Sequence, residues 1–213
     1  HLLNNAVSNH FAWRNDFGKQ RRAGFGGELD VPKTDTRLRV GVTNLQNYLY
    51  FGEDFLPRQH GGSVQVFSAS LEQRLRLGIL HWDNSVTYQT SSDAAVLPLP
   101  SLTVYSNLYI LFRFATLNVQ LGVDCDYYTR YRGLKYQPAT MTFAVQQPGQ
   151  EVLVGNYPFC NFYVNMKLKK ARFYVLLSHV NQGLFGGSNF FSMPLYPMNP
   201  RRLQLGISVD FAS

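Results

Sequence analysis

The sequence predicts an all-β protein, an antiparallel transmembrane β-barrel with about ten strands, and three observations lead to that fold class. Apolar and polar residues alternate through long segments, tight turns and long connections follow each other in order, and aromatic residues gather near the segment ends. The clearest segment closes the chain, where Leu203, Leu205, Ile207, Val209 and Phe211 alternate with polar residues. Because the side chains of a strand alternate between its faces, this segment has one apolar and one polar face.

The same alternation recurs along the chain and defines the predicted strands in order. An opening segment covers residues 6–15, and two noisier segments follow at 23–31 and 37–42. Stronger alternation, interrupted on the apolar side by Gln73 and Asn84, covers residues 64–77, 80–89, 102–114, 117–128, 160–168, 173–177 and 202–211. Most segments reach about ten residues, which suits tilted membrane strands better than the ~5–6 residues of soluble sheets.

The connections between these segments alternate in length. Tight turns are predicted at residues 32–36, 77–78, 115–116 and 169–170, and long connections at 52–62, 91–101, 131–156 and 182–200. Outer-membrane barrels have short periplasmic turns and longer external loops. A lipocalin or a β-sandwich has no reason for so strict an order, so we expect periplasmic turns, a periplasmic C-terminus and external long loops.

Composition argues against several other classes of protein. Charged residues make up 15% of the chain and aromatic residues another 15%, whereas average proteins are about 25% charged. No apolar run reaches the ~18 residues of a membrane-spanning helix. The net charge of +7 fits nucleic acid, anionic lipid or an anionic solute, but the basic residues are spread through alternating strands, so no nucleic-acid partner is predicted.

Residues 1–213 form one predicted domain, because nothing in the sequence signals a linker. The chain opens at His1 with neither an initiator Met nor a signal peptide, so we expect a processed protein or a piece of a longer one.

Alternation alone does not decide which face meets lipid, because the apolar face of a lipocalin lines a cavity instead. Here the polar faces carry small uncharged residues rather than a dense charged coat, and rings gather near strand ends, as at Tyr48, Tyr50 and Tyr127. Both features favour a membrane barrel. The predicted lipid-facing residues are Leu80, Trp82, Val119, Leu121, Val123, Leu205, Ile207, Val209 and Phe211. The predicted lumen-lining residues are Arg74, Arg76, His81, Asp83, Arg113, Asp124, Asp126, Lys167 and Arg172.

Several segments resemble the putative porin family of Bacteroidetes-type outer membranes. They are TNLQNYLYF at 43–51, VLPLPSL at 96–102, GNYP at 155–158, KKARF at 169–173, HVNQG at 179–183 and YPMNPR at 196–201. The resemblance covers the chain from about Asn44 onward, in the family's order. It implies an outer-membrane β-barrel with a pore function. Members are typically much longer, so the resemblance also implies that this chain is the C-terminal part of one.

No catalytic, cofactor-binding or metal-binding motif is predicted, and we expect that the protein is not an enzyme. His81, Asp83 and Ser85 share a polar face, but residues two apart on a strand are ~6.5–7 Å apart, too far for a direct hydrogen bond between a nucleophile and its base. Asp124 and Asp126 could hold a cation, although two carboxylates on a polar wall are more often solvated or paired with Arg.

Cys125 and Cys160 fall in the apolar series of two neighbouring predicted strands. The oxidising periplasm permits a disulfide. The long connection between these strands leaves their register open, however, and bridging requires Cα atoms within about 7 Å. The expectation is two free, lipid-facing thiols, with a disulfide as the alternative.

These features together predict a passive pore for small hydrophilic solutes in the outer membrane of a Gram-negative bacterium. The alternative is a structural or docking barrel within a larger outer-membrane complex, and an envelope hydrolase is the third hypothesis. The expected partners are membrane lipid and lipopolysaccharide, together with other outer-membrane proteins or further copies of the chain.

Basic residues on the polar faces predict a charge preference for the pore. Those expected near the periplasmic ends of their strands are Arg37, Arg39, Arg74, Arg76, Arg113, Lys167 and Arg172. Glu28 and Asp30 are the only acidic residues expected at that level, and Glu72 is placed deeper. Because rings of Arg or Lys favour anions, we expect weak anion preference, unless these side chains pair with neighbouring carboxylates.

Overall fold

The protein is all-β in a computed structural model that describes residues 3–8, 11–184 and 190–211. Its main element is a nine-stranded antiparallel sheet in which each strand pairs with its neighbours along the chain. The strands are β1 (Arg21–Val31), β2 (Thr36–Gln46), β3 (Ser63–Leu77), β4 (Leu80–Ser91), β5 (Leu102–Phe114), β6 (Leu117–Tyr128), β7 (Phe159–Leu168), β8 (Ala171–Ser178) and β9 (Arg202–Val209). Among the described residues the edge strands β1 and β9 do not pair with each other, so the sheet is open and no closed barrel is found.

The register gives the sheet one apolar and one polar face. Residues paired directly across two strands share a face, and one such line runs through Phe112, Val119, Met166, Phe173 and Ile207. Many apolar side chains on this face have no covering element and stay exposed, which for soluble monomers is unusual over so large an area. The predicted alternation is therefore confirmed across all nine strands.

The two polar residues that interrupt the apolar face are direct partners in the sheet. Gln73 on β3 lies opposite Asn84 on β4, and Asn84 lies opposite Ser106 on β5. Ser106 donates to Asn84 Oδ1 at 2.8 Å, and the Trp82 indole N–H donates to Ser106 Oγ at 2.8 Å. Asn84, Ser106 and Trp82 thus form one hydrogen-bonded group, while Gln73 Nε2 donates to Thr36 Oγ1 at 3.4 Å. Both interruptions therefore have polar partners within an apolar face.

All tight turns lie at one end of the sheet, which we call the turn end. They join β1 to β2, β3 to β4, β5 to β6, and β7 to β8, and the first contains a 3₁₀ turn at Pro32–Thr34. Each contains a residue with positive φ: Asp35, Gly78, Ala115 and Lys169. The turn predicted at 77–78 is Gly78-Ile79, one residue later, because Leu77 still pairs with Leu80. The long connections lie at the opposite end, the loop end.

The opening segment differs from the prediction of one strand at 6–15. It contains two short antiparallel strands, Asn5–Val7 and Ala12–Arg14, while residues 9 and 10 of the predicted strand lie outside the described residues. Ser8 N–H donates to the carbonyl oxygen of Phe11 at 2.7 Å, and Ser is a common turn residue. The chain therefore reverses within this segment, and the strand count of about ten is not confirmed.

The loop end carries short strands of its own. Lys135–Gln137, Thr142–Ala144, Leu49–Phe51 and Pro57–Gln59 form a four-stranded sheet that joins two of the long connections. Two further pairs are Tyr131–Arg132 with Leu153–Val154, and Phe191–Met193 with Tyr196–Pro197. Throughout residues 3–8, 11–184 and 190–211, no helix has the length and apolar character needed to cross a membrane.

The expectation of two free thiols was wrong. Cys125 and Cys160 lie directly opposite each other on β6 and β7, with Cα atoms 4.1 Å apart, and form a disulfide. The alternation of the two strands does not determine their register across the long connection, which is why the disulfide was not predicted. The observed register brings both cysteines to the same position on the apolar face, near the loop end.

Candidate functional site

The polar face of the sheet is the candidate site. The register places every predicted lumen-lining residue on it: Arg74, Arg76, His81, Asp83, Arg113, Asp124, Asp126, Lys167 and Arg172. It places the predicted lipid-facing strand residues on the apolar face: Leu80, Trp82, Val119, Leu121, Val123, Leu205, Ile207 and Val209. Phe211 follows the end of β9 and is exposed. The roles in lining a lumen and meeting lipid stay predictions.

Near the turn end, the two arginines of β2, Arg37 and Arg39, are paired with carboxylates of β1 and β3. Arg39 contacts Glu28 at 2.7 Å and Glu72 at 2.6 Å, so it links β1 to β3 across β2. Arg37 lies between Glu28 at 3.4 Å and Asp30 at 3.5 Å. These side chains are well exposed, so water and salt screen the pairs and each adds little to stability. The pairs matter more for the local charge, which they neutralise.

One sequence-based placement is corrected here. Glu72 was expected deeper in the wall than the basic residues, but it lies directly opposite Arg37 in the register. Arg76 also has a carboxylate neighbour, Asp35 in the first tight turn, at 3.3 Å. The structure thus places Glu72 and Asp35 near the basic residues of the turn end, in addition to the predicted Glu28 and Asp30.

The basic residues on β5, β7 and β8 are arranged differently. Arg113, Lys167 and Arg172 lie on one line of the register, with Asn118 on β6 between Arg113 and Lys167. We call these three residues the basic row. In the described part of the chain, one ion pair reaches it, from Arg172 to Asp210 at 3.6 Å. The basic row therefore has fewer carboxylate partners than Arg37 and Arg39 on β2.

Tyrosines and amides occupy the middle of the polar face. The Tyr163 ring on β7 lies over Gly122 of β6 and donates from its hydroxyl to Asn107 Oδ1 on β5 at 2.9 Å. Gln120 Nε2 donates to the same hydroxyl at 3.3 Å. A Cβ at Gly122 would lie 2.7 Å from both Tyr109 Cβ and the Tyr163 ring, so the absence of a side chain there makes this crossing possible.

The predicted catalytic alternatives are not assembled. The His81 ring stacks on Tyr109 with centroids 5.0 Å apart, and the Tyr109 hydroxyl donates to Asp83 Oδ2 at 3.3 Å. No hydrogen bond joins Ser85 to His81 within the described residues. Asp124 accepts from Asn161 Nδ2 at 2.8 Å. The described ranges contain no group of three or more His, Cys, Asp or Glu side chains placed to hold a metal ion.

A buried cluster at the loop end was not found from the sequence. The His179 ring is 3% exposed, and its Nδ1 donates to the carbonyl oxygen of Asn199 at 2.8 Å. The Tyr157 hydroxyl donates to His179 Nε2 at 2.7 Å, as this arrangement requires of a neutral ring. Burial raises the pKa of Tyr157, and the charge of Arg201 offsets part of that rise. These contacts hold two long connections together.

Three of the segments that resemble the porin family contribute residues to this cluster. The segments at 155–158, 179–183 and 196–201 are far apart in sequence but meet here. Arg201 adds to the contact, because its backbone N–H donates to Gln182 Oε1 at 2.7 Å and its guanidinium donates to the Gln182 carbonyl oxygen at 2.8 Å. The segments that carry the resemblance therefore include residues that build the loop end.

Comparisons with known proteins agree with this geometry. A family model with the description "Putative porin" matches residues 1–212. A similar solved structure is the FrpB iron transporter from Neisseria meningitidis (F3-3 variant), with a TM-score of 0.57 and 11% sequence identity. The match covers 88% of this chain and 30% of the transporter, and at this identity it shows likeness of fold alone. No curated protein matches the sequence.

Proposed function

This chain belongs to the putative porin family, and from that premise we propose that it forms part of the wall of an outer-membrane β-barrel through which small hydrophilic solutes diffuse passively. The observation that carries the proposal is the division of nine strands into one exposed apolar face and one polar face. The protein acts in the outer membrane of a Gram-negative bacterium, without catalysis.

The exposed apolar face supports contact with lipid. Phe25 is 87% exposed, Phe114 75% and Leu205 68%, and these residues lie on widely separated strands. A soluble protein would have to cover so much apolar surface with another layer, whereas hydrocarbon tails cover it in a membrane. The polar face then meets water, with lipid and lipopolysaccharide on the opposite side.

The directions of the edge strands support a larger barrel. β1 ends at the first tight turn and the last paired residue of β9, Val209, lies opposite Ala171, so both strands run from the loop end to the turn end. Pairing them directly would make one parallel contact in an otherwise antiparallel sheet. An antiparallel closure needs an odd number of additional strands. A sheet that is one part of a larger barrel is consistent with the 30% of the transporter that the match covers.

The order of turns and loops supports one orientation. The tight turns face the periplasm, and the loop end, with its small sheet and the His179 cluster, lies outside the cell. This is the asymmetry of outer-membrane barrels generally.

A docking barrel is the second candidate, and one observation favours it. Apolar side chains project from the loop end, where Met141 is 80% exposed and Leu184 72%. Phe143 and Leu195 are also exposed there. Such a surface suits a second outer-membrane protein better than open water.

Conductance in planar lipid bilayers tests the proposal. The native protein, purified in detergent, is expected to produce stepwise currents in potassium chloride, with a heat-denatured sample of the same preparation as the control. Liposomes containing the protein are expected to swell in arabinose and not in a large oligosaccharide. Absence of both conductance and swelling, with stable co-purification of a second outer-membrane protein, would reject the pore and support the docking barrel.

A further inference from the structure

We propose that the polar face contains a binding subsite for monophosphorylated sugars or closely similar anionic, hydroxylated solutes, formed by the basic row and the polar side chains beside it. The proposal rests on the proposed function, because it takes the polar face to be in contact with solutes in water. It names a class of solute and a place on the wall where that solute binds.

The positive charge of the basic row is only partly balanced by carboxylates. Lys167 and Arg172 lie directly opposite each other on β7 and β8, where neighbouring strands are about 4.8 Å apart. Like charges in this position destabilise a sheet. Elsewhere on the same face Arg37 contacts two carboxylates of β1, and Arg39 contacts one on β1 and one on β3. Asp210, 3.6 Å from Arg172, provides the single ion pair to the basic row among the described residues. A bound anion would remove the repulsion.

The three cations of the basic row are accessible to a solute. Arg113, Lys167 and Arg172 are all exposed. Arg113 Nε donates to the Ala115 carbonyl oxygen at 2.9 Å, so the two terminal NH₂ groups remain for another acceptor. Guanidinium and ammonium groups form short, charge-assisted hydrogen bonds with phosphate oxygens, and a phosphate offers enough oxygens for several donors.

A line of polar side chains lies beside the basic row. Gln120, Asn165 and Tyr174 lie next to the basic row on β6, β7 and β8. Asn165 Nδ2 donates to Gln120 Oε1 at 3.2 Å, which orients both amides and leaves Asn165 Oδ1 as an acceptor. The Tyr174 ring is 46% exposed and lies over Gly206 of β9. Amides that bind hydroxyls and an accessible aromatic ring are the groups that a sugar needs.

The two lines border one cavity. It is an open depression with a volume of about 680 Å³, bordered by the basic row on one side and by Gln120, Asn165 and Tyr174 on the other. Residues between these positions on the same strands also line it: Phe112, Val119, Met166 and Phe173. This volume is within the ~300–1,000 Å³ of small-molecule sites. A phosphate placed against Lys167 and Arg172 would leave the attached sugar beside the amides. The groups that would bind the phosphate and those that would bind the sugar are therefore close enough for one small solute to contact both.

Isothermal titration calorimetry on the native protein in detergent tests the subsite. The probes are glucose 6-phosphate, glucose and inorganic phosphate. We expect saturable binding of glucose 6-phosphate, tighter than that of either other probe and weaker at high salt because exposed charges are screened. Lys167→Gln combined with Arg172→Gln is expected to weaken binding at least about tenfold, the effect of losing one or two charge-assisted hydrogen bonds.

The matched control is Lys169→Asn, which removes a positive charge two residues from Lys167 but outside the cavity lining. Lys169 has φ of 52°, and Asn is well tolerated in that region. This variant is expected to bind glucose 6-phosphate within about twofold of the unchanged protein. Binding weakened equally by the control would reduce the effect to overall charge and reject the subsite.

Other outcomes separate this inference from the proposed function. No binding of glucose 6-phosphate, or binding no tighter than that of inorganic phosphate, rejects the subsite even if the protein conducts potassium chloride. Binding that depends on Lys167 and Arg172 in a protein without conductance supports the subsite and rejects the pore. Unchanged heat modifiability of each variant on gel electrophoresis shows that it is folded.

Discussion

Cys125 and Cys160 face each other across β6 and β7 and are joined by a disulfide, although 35 residues separate them in the chain. The bond lies where the longest connection of the loop end leaves the sheet and returns to it. It therefore closes this connection covalently at its base, where the contact between Tyr157 and His179 also lies.

Loss of this disulfide is expected to lower the stability of the folded protein by ~2–4 kcal/mol, because the open chain regains conformational freedom when it unfolds. Cys125→Ser and Cys160→Ser should each lower the temperature at which the folded band disappears on gel electrophoresis. The double variant should match either single one, since either change removes the whole bond. Equal unfolding temperatures for reduced and oxidised protein would contradict the prediction.

Arginine on the two faces of β6 should have opposite consequences. Leu121→Arg places a charge on the apolar face near the middle of the strand, with an expected cost of ~2–4 kcal/mol in a bilayer. Gln120→Arg, one residue away on the polar face, should cost about 1 kcal/mol or less, through its lost hydrogen bonds. The measurement is the folded fraction in liposomes across a urea series. Equal tolerance at both positions would exclude a membrane barrel in this register.

The close approach of Tyr163 to Gly122 makes a steric prediction. Gly122→Ala adds a Cβ that would lie 2.7 Å from Tyr109 Cβ and from the Tyr163 ring, so we expect a loss of ~1–3 kcal/mol. Gly27→Ala is the matched control, since a Cβ there meets no atom within 4 Å. Urea denaturation of both variants tests this, and equal stabilities would show that the crossing tolerates a side chain.

The native lysines provide a test of orientation. A membrane-impermeant amine reagent on intact cells should modify Lys19, which is exposed beside the loop end, where Asn47 Nδ2 donates to its carbonyl oxygen. Lys33 and Lys169 lie in tight turns and should be protected until the cells are broken. Mass spectrometry of the peptides gives the answer. Modification of the turn lysines with protection of Lys19 would reverse the orientation.

Ion selectivity should follow the unpaired part of the polar face. If the barrel conducts, the reversal potential across a potassium chloride gradient should indicate weak anion preference. Lys167→Gln with Arg172→Gln should reduce the preference more than Arg76→Gln, because Arg76 already has Asp35 at 3.3 Å. Clear cation selectivity of the unchanged protein would contradict this prediction.

The assignment of faces was available from the sequence because backbone geometry sets a period of two in any strand. Leu121 and Gln120 could be placed on opposite sides without knowledge of their neighbours. The tight turns could also be predicted from the sequence, since a short connection fixes which two strands pair.

Contacts between strands that a long connection separates could not be predicted from the sequence. Nothing local determines that Cys125 meets Cys160, or that Arg39 reaches Glu72, because each depends on the register between strands separated by many residues. The small sheet at the loop end includes the pairing of Ala144 with Phe51, which joins two different connections. Loop–loop pairings of this kind leave no periodic signal in either segment.

The meander also determines the order in which strands can pair as the protein assembles. Closing a chain costs more entropy as the connection lengthens. We therefore expect the hairpins β1–β2, β3–β4, β5–β6 and β7–β8 to form before the contacts between them. The disulfide then joins the third hairpin to the fourth, after their register has been reached. β9 alone belongs to no hairpin of this chain. We expect it to pair with β8 after the hairpins have formed, which leaves its outer edge open in the described part of the chain.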